Sequence, residues 1–182
     1  NFIRKRPTLD TELSVNATVG SWNNQRIELD ASTPLTDSVS ARFVAVKQKK
    51  DSYLDRYQQD KTIAYAFIGA NLSDNTYLSI SHSFIDNDAT GNNWGALPLF
   101  YTDGSATNYD VATNTSADWS NWQVTKNNTV LELSHYFNDD WRLRATYSRK
   151  TTDEDTELFY VYGTPDKTTG LGLTGYGSEY DL

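Results

Sequence analysis

The residues best suited to chemistry lie in one long, weakly charged stretch, Thr90 to Lys126. It carries Trp94, Trp119 and Trp122, three of the five tryptophans in the chain. A loop of that length is uncommon in a compact domain and signals function or disorder. The aromatic content argues against disorder, so the stretch is read as a working surface held up by the segments around it. The other reactive types are sparse. With no cysteine, disulfides, thiolate metal sites and thiol nucleophiles are excluded. His82 and His135 sit among apolar residues on separate strand-like runs, without the partners metal ligation needs. Asp153-Glu154-Asp155 lacks the 1-3-5 spacing and turn glycine of a calcium loop and reads as a solvated face. Asp103-Gly104 reads as a turn, and Pro98 as shaping the chain. No paired acids and no nucleophile–base set stand out, so an enzyme is the least favoured class.

The supporting elements follow from periodicity. Leu13, Val15, Ala17 and Val19 alternate with Ser14, Asn16 and Thr18, the period of a strand with one apolar and one polar face. Asn23-Asn24 reads as a tight turn. Ile27, Leu29 and Ala31 then alternate with Arg26, Glu28 and Asp30. Further runs cover Val39 to Lys49, Thr62 to Asn71, a stretch around Leu78, Ile80 and Phe84, and one around Leu131 and Leu133. In the cleanest, Trp141, Leu143, Ala145 and Tyr147 oppose Arg142, Arg144, Thr146 and Ser148. Asp51 to Asp60 and Thr151 to Gly170 read as loops, and Gly170 to Leu182 as the start of an eighth strand. No 3.6-residue period persists for three turns, so the fold class is all-β and antiparallel.

The connections are sorted. Those around Thr36, Asp74 and Asp139 are short, and the ones that alternate with them are long and aromatic, except the first. In an up-and-down meander, alternate connections emerge at the same end, so one rim is trimmed and the other decorated. Outer-membrane barrels have that asymmetry, with aromatics such as Trp22 and Trp141 at the interfaces. A wet-faced β-sandwich also alternates, but does not sort its loops by end. Composition, with Tyr occurring 12 times, suits a sheet with one wet face or a membrane interface, where such rings prefer to sit, while a formal net charge of −8 argues against nucleic acid as partner.

Motifs in order along nearly the whole chain resemble TonB-dependent siderophore receptors, and within them the group handling ferric hydroxamate, coprogen and pyoverdine chelates. These are Asn1-Phe2-Ile3-Arg4-Lys5-Arg6-Pro7-Thr8, Gly20-Ser21-Trp22, Pro34-Leu35-Thr36, Gln48 to Asp55, Gly95 to Gly104, and Tyr136 to Trp141. The resemblance implies a roughly 22-stranded outer-membrane β-barrel filled by a plug. Residues 1–10 would close the plug, and 11–182 would supply the first seven or eight barrel strands, so the chain is expected to be a piece of a longer product. It implies a receptor in the Gram-negative outer membrane that takes up ferric siderophore, energised through TonB. Lipid would be the other partner, and iron would enter only as the chelate, with no resident cofactor. Siderophore contact is then expected from Trp94, Leu97, Phe100, Tyr101, Trp119 and Trp122, against the alternative that these rings only bury one another. Arg4-Lys5-Arg6 reads first as a solvated run. As a packed connector, Arg4 and Arg6 would meet Glu28 and Asp30, while Arg142 and Arg144 would meet Glu132 or the plug. The other readings are a small eight-stranded outer-membrane barrel and a soluble carbohydrate-binding module with tryptophan platforms.

Overall fold

A computed structural model describes residues 4–182; Asn1, Phe2 and Ile3 of the first motif lie outside the described residues. The strands are β1 (Glu12–Gly20), β2 (Asn24–Pro34), β3 (Val39–Asp51), β4 (Gln58–Ser73), β5 (Thr76–Thr90), β6 (Trp94–Gly95), β7 (Asn121–Tyr136), β8 (Arg142–Gly163) and β9 (Leu173–Asp181). They form one sheet, an antiparallel meander apart from the two-residue β6, which runs parallel to β8. Among the described residues β1 and β9 pair on one side only, so the sheet is not closed on itself. The single layer removes the sandwich and the soluble-module readings, and the open edges remove a closed eight-stranded barrel.

Burial is inverted relative to a water-soluble sheet. The apolar residues of the alternating runs are exposed: Leu13 69%, Val15 61%, Ile27 55%, Ile80 47%. The polar face is covered, with Asp30, Ser32, Ser79, Ser81, Glu132 and Ser134 all buried. A face of exposed Leu, Val and Ile this broad has no stable contact with water; it is built to meet hydrocarbon.

The register gives the tilt of that band. Val19, the last apolar residue of β1, is level through successive pairs with Gln25, Lys49, Asp60, Asp88, Gln123 and Asp155. On β8, however, the outward apolar run stops at Tyr147, eight residues below Asp155. At about 3.3 Å per residue and about 4.8 Å per strand, that drop over six strand steps is a tilt of roughly 40°, within the range of outer-membrane barrels.

Several boundaries differ from the sequence reading. The long loop is 91–120, and Trp122 belongs to β7. The expected loop at Asp51 to Asp60 shrinks to 52–57, and most of the expected loop after Thr151 is strand, because β8 continues to Gly163. Above the lipid level both faces of β8 are wet, so apolar alternation vanishes although the ladder persists. The first turn is one residue earlier than expected: Trp22 and Asn23 are its centre, with φ of 61° and 51°. Two consecutive positive φ values make the type I′ geometry that suits a twisted hairpin. The rims sort as expected: 35–38, 74–75 and 137–141 lie at one end, and 52–57, 91–120 and 164–172 at the other.

Candidate functional site

At the decorated rim, a clamp holds the long loop. The side-chain amide of Asn114, itself buried, donates to the carbonyls of Gly91 (2.7 Å) and Asp55 (2.8 Å), tying 91–120 to 52–57. Arg56 reinforces it by donating to Asp118 Oδ1 at 2.9 Å. Gly91 has φ +65° and a Cβ there would collide with the Arg56 carbonyl, so glycine is required. Beyond the clamp, residues 99–107 fold into a small hairpin whose turn at Asp103-Gly104 matches expectation: Gly104 N donates to Tyr101 O (2.9 Å) and has φ +81°. The hairpin docks on 164–172 through Thr102 N to Pro165 O at 3.0 Å, and Lys167 Nζ lies 5.7 Å from the centre of the Tyr101 ring.

The six expected contact residues divide. Trp94 pairs with Tyr160 and packs edge-on against Tyr160 and Tyr176, with centroids 5.5 and 5.7 Å away. Those tyrosines share the face of Arg144, the inner one, by alternation along β8 and β9. Trp122 is also inner, level with Thr156 and the buried Ala89. Among the described residues its buried indole N–H has no hydrogen-bond partner. Trp119 takes the opposite face: it packs on Phe159 (5.9 Å) and over Gly177, which leaves room for its ring. Leu97 is half-buried below the hairpin, Tyr101 is half-buried within it, and Phe100 is 55% exposed. Tyr160 was missed because its strand was read as loop, where the spacing of Phe159-Tyr160-Val161-Tyr162 was the available signal; Tyr176 lies in the expected eighth strand but was not singled out.

Lower on the inner face lies a second cluster. The segment before β1 crosses the sheet's concave side. Arg4 and Arg6 meet Glu132 at 3.2 and 2.9 Å, and Arg144 meets the same carboxylate at 2.8 Å. Lys5 meets Asp30 at 2.8 Å and Glu28 at 3.8 Å, and Arg42 also binds Asp30, at 2.7 Å. Tyr65 donates to the Lys5 carbonyl and Arg42 to the Arg6 carbonyl, both at 2.8 Å. The run is therefore ion-paired while staying about half exposed, and the expected partners are exchanged: Lys5, between the arginines, takes Glu28 and Asp30. In an extended segment neighbours point to opposite sides, so Arg4 and Arg6 share one acid while Lys5 reaches the other pair. Arg144 meets Glu132 as expected, whereas Arg142 donates to Ser134 Oγ at 3.0 Å and lies over the Tyr136 ring.

An exposed apolar band, an inner wall of paired charges and an aromatic rim describe part of the wall of a membrane β-barrel. No family model matches the chain. The ferripyoverdine receptor of Pseudomonas aeruginosa is 32% identical over 98% of the chain, and the ferric-pyoverdine 358 receptor of Pseudomonas putida 33% identical over 96%. The chain is a homologue of the ferripyoverdine receptors. It spans under a quarter of their length, 23% and 21% respectively. The structure of the ferripyoverdine receptor of the outer membrane of P. aeruginosa bound to ferripyoverdine superposes with a TM-score of 0.90 at 28% identity, covering 98% of this chain and 24% of that one. The likeness covers the N-terminal segment, the sheet and the rim loops together.

Proposed function

We propose that this chain is part of the wall of an outer-membrane receptor that takes up a ferric siderophore of the pyoverdine or hydroxamate kind. Residues 4–10 are the end of a plug and residues 11–182 the first strands of the barrel around it. Uptake is energised through TonB, acting on parts outside this chain, and lipid covers the apolar face. The observation that carries the reading is the inverted sheet: apolar residues out, ion-paired residues in, and the aromatic rim at the end away from the short turns.

Chelate binding is not catalysis. The metal arrives fully coordinated, so the wall needs ring faces and a few donors. Trp94 and Trp122 face the interior and are assigned first, with Tyr160 and Tyr176 completing the wall. Tyr101, Phe100 and Leu97 approach from the hairpin above, and Trp119 props the outer side of β8 and β9. The buried, unpartnered indole N–H of Trp122 is a donor that a chelate could satisfy after a small ring movement. No resident cofactor is invoked, and no reacting group is assigned.

The test is tryptophan fluorescence of the full-length receptor titrated with a panel of ferric pyoverdines and ferric hydroxamates. Saturable quenching by at least one chelate, weakened at least about tenfold in Trp94→Ala, is expected. Silence with every chelate would overturn the reading.

A further inference from the structure

Above the lipid boundary the sheet is sorted by charge, and the two faces carry opposite signs. Contacts of known direction fix the faces: the ion pairs of Arg42 with Asp30 on β3, Glu132 with Arg4 on β7 and Arg144 with Glu132 on β8, and the hydrogen bond of Tyr65 to the Lys5 carbonyl on β4, all lie inward. Even steps along those unbroken ladders put Lys50, Lys61, Lys126 and Lys150 on the inner face as well. None of the four is in a salt bridge among the described residues. The inner acid among them is Glu154, diagonal to Lys126 on the adjacent strand because Lys126 pairs with Thr152 and Val124 with Glu154; it leaves the group with a net positive charge. The outer face at the same height carries Asp60, Asp86, Asp88, Asp153 and Asp155. There Lys47 and Lys49 both pair with the single carboxylate of Asp60, at 2.6 and 2.9 Å. Below, the inner acids Glu28, Asp30 and Glu132 are each matched by a cation.

We propose that these inner lysines make an electropositive vestibule beneath the aromatic rim, which draws in ferric chelates of net negative charge and discriminates against neutral and cationic ones. The inference rests on the receptor reading above and adds the charge class of its ligand. The chain as a whole is acidic, with a formal charge of −8, and would repel an anion at long range. A local concave patch of the other sign focuses the field where the ligand must enter and raises its association rate. Lysine suits this role, as a flexible point charge that attracts without imposing a fixed geometry.

The experiment is stopped-flow quenching of the full-length receptor by ferripyoverdine, or by whichever chelate of the panel binds, across a range of NaCl. Three proteins are compared: wild type, the inner triple variant Lys61→Gln/Lys126→Gln/Lys150→Gln, and the outer double variant Lys47→Gln/Lys49→Gln. The wild-type association rate is expected to fall steeply with salt. The inner variant should associate about tenfold more slowly at low salt, with a flattened salt dependence, and the outer variant should match wild type. If the inner variant fails to fold, the wild-type salt dependence decides alone. A salt-independent wild-type rate overturns the proposal. So does equal slowing by inner and outer variants, or an unchanged rate with a lowered melting temperature, which would assign the lysines to holding the lumen's contents. In each of these outcomes the chelate still binds, so the receptor reading survives; it falls only if no chelate binds.

Discussion

β8 crosses two environments, and its halves follow different rules. From Arg142 to Ser148 one side meets lipid and the other the ion-paired interior, so side chains alternate between apolar and polar. From Lys150 to Asp155 both sides are wet and both are polar: Lys150, Thr152 and Glu154 inward, Thr151, Asp153 and Asp155 outward. The ladder is continuous through both. Hydrophobic alternation therefore reports the solvent on each face, while the backbone pairing that makes a strand is indifferent to it. The lower half is held by lipid and ion pairs, the upper half by loop clamps, and each can be broken separately.

The largest effect is expected at mid-band. Ile80→Arg puts a charge on the lipid face and should destabilise the receptor in bilayers by about 2–4 kcal/mol, whereas Asp86→Arg, six residues higher on the same side of β5, should cost far less. Denaturant titration in vesicles measures both; similar losses would break the division between halves.

Glu132→Gln comes next. It removes the carboxylate shared by Arg4, Arg6 and Arg144, whose side chains remain 40%, 52% and 56% exposed. Because water screens those cations, a loss of about 2 kcal/mol is expected, below that of a fully buried pair. Hydrogen exchange should quicken at residues 4–8 and stay unchanged in 91–120.

Asn114→Ala should do the reverse. It strands two carbonyls, at about 1–2 kcal/mol in total, and should speed exchange and protease cutting in 52–57 and 91–120 while the segment before β1 stays protected.

The smallest effect concerns pH at the hairpin and its dock. Asp103 is held below the usual carboxylate range by the Ser105 hydroxyl and amide, and Asp166 by the amide and hydroxyl of Thr169 and the amide of Thr168. A lowered folded-state pKa gives stability that is fully present above the ordinary value near about 4 and is lost as pH falls through the lowered one. Exchange protection in 99–107 should therefore be flat from neutral pH to about 5 and change only below about 4. A transition near neutrality would contradict the assignment to these two acids.

How much was legible in the sequence follows the same boundary. Leu13 to Val19 and Trp141 to Ser148 were readable because lipid on one side enforces a period of two. Phe159 to Tyr162 and Thr151 to Asp155 were read as loop because no single solvent imposes a pattern there, which also hid Tyr160 beside Trp94. Trp119 was grouped with Trp94 by sequence distance alone, and only Gly177 on a later strand decides which face it takes. The partners of Arg4, Lys5 and Arg6 depend on how one extended segment crosses β2 and β7, a long-range geometry with no local signature.

The chain contains no cysteine, so single cysteines can be placed along β5 without background from it. In the full-length receptor in vesicles, each carries a fluorophore quenched by a nitroxide attached to lipid tails. Labels at 78, 80 and 84 should be quenched and labels at 79, 81 and 83 should not. Quenching of the opposite set, or of both alike, would contradict the claim that the apolar face of this sheet is the one that touches lipid.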